Sequence, residues 1–137
     1  MPAGGVVGSF INFVIYNIGM VRTKVEAISK ETLLEINKIN SDQGVRSEAD
    51  LDYIVYKMAR TRGLNRKVAL LLIEIAQKHP FYDGNKRTAF ESAVAFLSLH
   101  NKKLKVGDKA KLDLVFRIAN RTATLEEVAL WIANHTR

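Results

Sequence analysis

Val68-Ala69-Leu70-Leu71-Leu72-Ile73-Glu74-Ile75-Ala76 is almost continuously apolar, with Glu74 its one charged position. Read as a helix, the stretch is apolar all round, and such a helix belongs at the buried centre of a domain. Gly63 interrupts the chain before it. Pro80 closes it, because a residue preceding proline is pushed out of helical geometry, so the helix ends at or just before His79. The stretch therefore predicts a central helix that delivers the chain into a loop starting at His79.

Working outward toward the N-terminus, Leu51, Ile54, Val55 and Met58 form a helical stripe. Ser47-Glu48-Ala49-Asp50 precedes it, a capping-box-like start with Asp in place of the preferred Glu. Ser41-Asp42-Gln43-Gly44 is a turn cluster, and Ser29 is an N-cap for a short helix ending near Asn40. Toward the C-terminus, Ala89, Phe90, Ala93, Val94, Phe96 and Leu97 recur at helical spacing, so a helix restarts near Asn85. Asn101 and Gly107 punctuate a basic connector carrying Lys102, Lys103 and Lys105. Ala110 to Ala119 reads as a further helix. Thr124-Leu125-Glu126-Glu127 is a capping box that opens the last one, through Val128, Trp131 and Ile132. No repeat and no strand alternation occurs after residue 29. The expected fold class is all-α, a compact bundle with the loop between its two central helices.

The 137 residues suit one domain, and 47% apolar content excludes disorder. No cysteine is present, which removes disulfides, thiolate zinc sites and a thiol nucleophile. The net charge of +7 asks for an anionic partner: nucleic acid, nucleotide phosphates, an anionic membrane or an acidic protein. Against nucleic acid, no recognition-helix turn or aromatic stacking motif stands out. Val6 to Val21 is apolar and β-branched, interrupted by Gly8, Asn12, Asn17 and Gly19. It is short for a membrane span, its asparagines oppose insertion, and it lacks the basic start and cleavage site of a signal peptide. Residues 1–26 read as a strand-forming extension that packs on the domain or a partner chain; the alternative is that the natural start is Met20. An apolar extension of this kind also suits self-association into a homo-oligomer.

The loop His79-Pro80-Phe81-Tyr82-Asp83-Gly84-Asn85-Lys86-Arg87 concentrates chemistry. Asn85, Lys86 and Arg87 fall at a helix N-terminus, where free N–H groups and the helix dipole favour anions. Gly84 permits a tight turn and a close backbone approach. Lys86 and Arg87 add fixed positive charge, completing a nest for a polyphosphate. Asp83 is a hard oxygen ligand beside that nest, suited to Mg²⁺. His79 can take a proton from an attacking hydroxyl near neutral pH, and Phe81 is an apolar plug that anchors the loop. Singly, each group has an ordinary job: a helix cap, a turn, a solvated face. Together they are a base, a metal ligand and a phosphate clamp, the parts of phosphoryl or nucleotidyl transfer.

This loop resembles the signature of the Fic/Doc family, His-Pro-Phe-x-[Asp/Glu]-[Gly/Ala]-Asn-[Gly/Lys]-Arg, at every defined position. Gly44-Val45-Arg46 resembles the family segment ahead of its flap. Ala95-Phe96-Leu97 with Asn101 resembles the family's helix and turn after the motif, and the final Val128-x-x-Trp131-Ile132 helix resembles the usual end of Doc-type chains. The resemblance spans residues 27–137. The family holds two chemistries, and the residues discriminate between them. Lys86 stands where AMP transferases of the Fic type carry Gly, and Phe90 stands where they carry a second Arg. Both departures resemble the Doc (death-on-curing) branch, whose reaction is like a kinase's; Gly84 is nearer the Fic form. The resemblance implies a cytoplasmic transferase using ATP and Mg²⁺ that moves the γ-phosphate to a Ser or Thr hydroxyl of a protein, with elongation factor Tu the best-known target. The alternative is AMP transfer to a protein hydroxyl.

Carried over by position, the resemblance makes His79 the general base and Asp83 the metal ligand. Gly84 and Asn85 become the anion hole, and Lys86 and Arg87 neutralise charge on the transferred group. It implies a toxin neutralised by an antitoxin. The family's inhibitory pattern in cis, [Ser/Thr]-x-x-x-Glu-[Gly/Asn], is met in spacing at Thr122 to Glu126, but Glu127 stands next, where Gly or Asn is required. Inhibition is therefore expected in trans, by an acidic antitoxin.

Overall fold

The computed structural model describes residues 26–137. The strand expected in the N-terminal extension falls on residues 1–25 and lies outside the described residues. Six helices are arranged in order along the chain: α1 (Lys30–Asn40), α2 (Glu48–Arg60), α3 (Leu64–Lys78), α4 (Asn85–Leu99), α5 (Asp108–Ala119) and α6 (Leu125–Asn134). Among the described residues there is no strand, only two isolated antiparallel bridges, Val45 with Phe81 and Leu104 with Thr136. The fold is all-α.

The helix starts have local causes. Ser29, Ser47 and Thr124 each accept a hydrogen bond from a first-turn N–H: those of Thr32, Asp50 and Glu127. Glu127 in turn accepts from the Thr124 N–H at 2.8 Å, completing a capping box. That bond holds the Glu127 carboxyl below its ordinary value. No helix among the described residues is long and apolar enough to cross a membrane.

Helix α3 is central: it packs against α2, α4, α5 and α6. Val68, Leu71, Leu72 and Ile75 are sealed in the core with Leu51, Ile54 and Met58 of α2, Phe96 and Leu97 of α4, and Val128 and Ile132 of α6. Each such side chain contributes about 1.5–3 kcal/mol by leaving water. One face of α3 departs from the expected all-round burial. Ile73, Glu74 and Gln77 stay partly accessible and line an open cleft. Helix α1 lies across α4 and α2, with Leu33 and Ile36 fully buried, which brings its polar residues Asn37 and Asn40 to the loop between α3 and α4.

Candidate active site

Helix α3 ends at Lys78, as Pro80 requires, and His79 caps it in the left-handed conformation with φ 52° and ψ 60°. That region is uncommon for a side chain larger than hydrogen, so neighbouring contacts must hold it. The His79 N–H donates to Ile75 O at 3.2 Å. The stronger restraint comes from Arg46, in the α1–α2 connection. Its Nε donates to His79 O and its Nη2 to Lys78 O, both at 2.6 Å, and Nη2 also meets Asp50 Oδ2 at 3.3 Å. These carbonyls have no partner within α3, and a cation at a helix C-terminus is favoured by the dipole.

Main-chain bonds continue the grip. The N–H groups of Arg46 and Ser47 donate to Pro80 O, at 2.8 and 3.0 Å, and the Tyr82 N–H donates to Gly44 O at 3.1 Å. Residues 44–47 thus form one short edge of the loop. Phe81 is 1% exposed, set in the core beneath it. The Asn85 amide brackets Phe81: Oδ1 accepts from its N–H at 3.0 Å, and Nδ2 donates to its carbonyl at 2.9 Å. Asn85 is itself buried, so these bonds satisfy main-chain groups that water does not reach.

The turn into α4 depends on Gly84, with φ 76°. A Cβ there would stand 3.4 Å from Asn37 Nδ2 and from the Asn40 Cβ, so both its backbone angle and its close packing select glycine. Asn37 Nδ2 donates to Asp83 O at 3.0 Å and to Thr88 Oγ1 at 3.1 Å, tying α1 to the turn. Asn40 Nδ2 donates to Glu91 Oε1 at 2.6 Å. Gly84 has no capping side chain, so the first N–H groups of α4 are left for a ligand or solvent.

The result is a cavity of about 420 Å³ lined by Asn40, His79, Tyr82, Asp83, Gly84, Asn85, Lys86 and Arg87. All six residues expected to bind or react, His79, Asp83, Gly84, Asn85, Lys86 and Arg87, line it, and Phe81 lies below. His79, Asp83, Lys86 and Arg87 are exposed. Because the Asn85 amide is committed to Phe81, the group Asn85 can offer an anion is its backbone N–H. Two fixed cations and a helix N-terminus face one carboxylate, an arrangement suited to phosphates.

Among the described residues no group of three or more His, Cys, Asp or Glu converges on a metal position. Asp83 supplies a single carboxylate beside Lys86, Arg87 and the uncapped start of α4, a donor set that fits Mg²⁺, an ion that takes one or two carboxylates and completes its shell with phosphates and water. Phe90 is 5% exposed and makes an edge contact with Trp131, ring centroids 6.5 Å apart. Position 90 therefore belongs to the core.

Asn37, Asn40 and the role of Arg46 did not emerge from the sequence. One signal was available: Asn37 sits next to Ile36 on the buried stripe of α1, and a polar group there needs a partner.

The Fic/DOC family model matches residues 27–97. Over 70 residues the chain is 37% identical to Toxin Doc of Mycolicibacterium smegmatis, a stretch covering 49% of this chain and 53% of that protein. The chain thus spans about half the length of the curated relative it matches. With the whole His79–Arg87 loop inside the matched region, the chain belongs to the Fic/DOC family.

Proposed function

We propose that the chain is a toxin-type transferase of the Doc kind, moving the γ-phosphate of ATP to a Ser or Thr hydroxyl of a target protein. The observation that carries this reading is the convergence of His79, Asp83, Lys86, Arg87 and the bare N-terminus of α4 on one cavity. His79 accepts the proton of the target hydroxyl as its oxygen bonds to the γ-phosphorus. The bond from that phosphorus to the β–γ bridging oxygen breaks, and ADP leaves. The α4 N–H groups, Lys86 and Arg87 hold and neutralise the phosphates. Asp83 is the residue that would hold Mg²⁺, which lowers the negative charge of the nucleotide.

Two features favour phosphate over AMP as the transferred group. Lys86 lines the cavity where a glycine would leave room, and Phe90 is packed into the core and has no donor to offer a phosphate. The target class, by resemblance, is a translation elongation factor such as elongation factor Tu, and control comes from an antitoxin in trans. Intact-mass measurement of the target after incubation with the chain, ATP and Mg²⁺ tests the reading. The expected gain is one phosphate; a gain of one AMP, or no gain with any candidate factor, would overturn it.

A further inference from the structure

A second cavity, of about 930 Å³, lies away from the motif loop and shares no residue with it. Its floor is apolar: Leu70 and Ile73 of α3, Ala123, and Leu125 of α6. Its walls carry five cations, Lys57, Arg60, Arg62, Arg66 and Arg121, and one carboxylate, Glu74. On α3 the lining residues 66, 70, 73 and 77 succeed one another at the spacing of a single helix face. This is the face that kept α3 from all-round burial.

The cations are under-compensated. Glu74 is shared between Lys57, at 3.5 Å, and Lys78, at 3.7 Å. Arg66 pairs with Glu126 at the rim. Arg60 has the Tyr56 ring at 5.4 Å, and Arg121 has the neutral Gln77 amide at 2.8 Å. Arg62 has no hydrogen bond or ion pair among the described residues. Arg121 is also preorganised. It is left-handed, with φ 59°, its N–H donates to Ile118 O, and Gln77 ties it to α3 while donating to the same carbonyl. Like charges gathered in a concave site repel one another unless an anion joins them.

We infer that this cleft docks an acidic peptide segment of a partner protein, with carboxylates on the arginine walls and an apolar side chain on the floor. The apolar floor favours a peptide over bare phosphates. Among the described residues the lining contains no aromatic ring on which a nucleic-acid base could stack, and the nearby Tyr53 and Tyr56 rings are already met by Lys57, Lys78 and Arg60 at 5.3–5.5 Å. The inference is independent of the reaction proposed above.

The test is fluorescence anisotropy at low and moderate salt with the full chain and a short labelled peptide of glutamates carrying two spaced leucines. Controls are the same peptide with lysines for glutamates, the same with serines for leucines, a single-stranded oligonucleotide, and tripolyphosphate. The Glu–Leu peptide should bind, and Arg62→Glu, at an exposed side chain with no partner among the described residues, should weaken it by about tenfold. Arg121→Gln should also weaken it, and Lys86→Ala should not. Serine for leucine should cost affinity. Absence of binding, binding unchanged in both arginine variants, or equal binding of the oligonucleotide or tripolyphosphate would overturn the inference.

Discussion

The motif loop, residues 79–87, and the connector between α4 and α5, residues 100–107, use the same backbone device for different ends. Each comes after a helix, contains a left-handed non-glycine residue, His79 or Asn101, and makes one isolated antiparallel bridge. The connector is joined to the C-terminus by main-chain bonds: Lys103 exchanges two with Arg137, at 2.8 and 2.9 Å, and the Lys105 N–H donates to His135 O at 2.6 Å. Its lysines, Lys102, Lys103 and Lys105, are exposed. The motif loop has main-chain bonds too, and in addition three side chains, Arg46, Asn37 and Asn85, that hold its carbonyls and N–H groups. A bridge alone orders a connection. A loop that holds a histidine, a carboxylate and a helix N-terminus around one cavity is pinned by side chains as well, two from elsewhere in the fold, Asn37 and Arg46, and one of its own, Asn85.

That contrast can be broken at graded points. The largest effect is expected from His79→Ala, which should lower the rate of transfer roughly a hundred- to ten-thousandfold with the circular dichroism spectrum and melting temperature little changed. Asn85→Ala strips the buried N–H and carbonyl of Phe81 of their partners and should cost about 2–4 kcal/mol in a urea titration. Arg46→Ala should cost about 1–2 kcal/mol, since its bonds are partly solvated, and should lower kcat more than it raises the KM for ATP. Lysine at position 46 should restore stability better than rate, because an ammonium cannot reproduce the fork that spans two carbonyls. In the connector, Lys103→Ala and Lys105→Ala should each change stability by less than about 0.5 kcal/mol and leave transfer intact.

Outside both regions, Thr124→Ala should destabilise by about 1 kcal/mol through loss of the α6 cap. The paired acid gives a pH signature. The Glu127 carboxyl is depressed in the folded chain, chiefly by its bond to the Thr124 N–H, so its contribution is complete above the ordinary carboxylate value. It is lost as pH falls through the depressed one. Wild type and Glu127→Gln should differ in melting temperature at neutral pH and converge in acid.

Much of this was legible in the sequence because its causes are local. Ser29, Ser47 and Thr124 announce helix starts through bonds three residues long, and Pro80 stops α3 by a clash with its own neighbour. The residues that line the cavity at the loop were legible because they are contiguous. The support of the loop was not, because those bonds join positions far apart: Asn37 to Asp83, Arg46 to His79. No helical period encodes such a pairing. The cleft beside α3 escaped for a related reason. Its face starts at Arg66 and ends at Gln77, outside the apolar run from Val68 to Ala76, and within the run it is marked only by Leu70, Ile73 and Glu74, two of which read as core.

Whether the cavity at His79–Arg87 performs γ-phosphoryl transfer is decided by position-specific labelling. The chain is incubated with a purified elongation factor, Mg²⁺, and ATP labelled at either the α- or the γ-phosphate, and the protein-bound label is counted. A γ-phosphoryl transferase leaves label on the target from γ-labelled ATP alone; label carried over only from the α position would rule that reaction out.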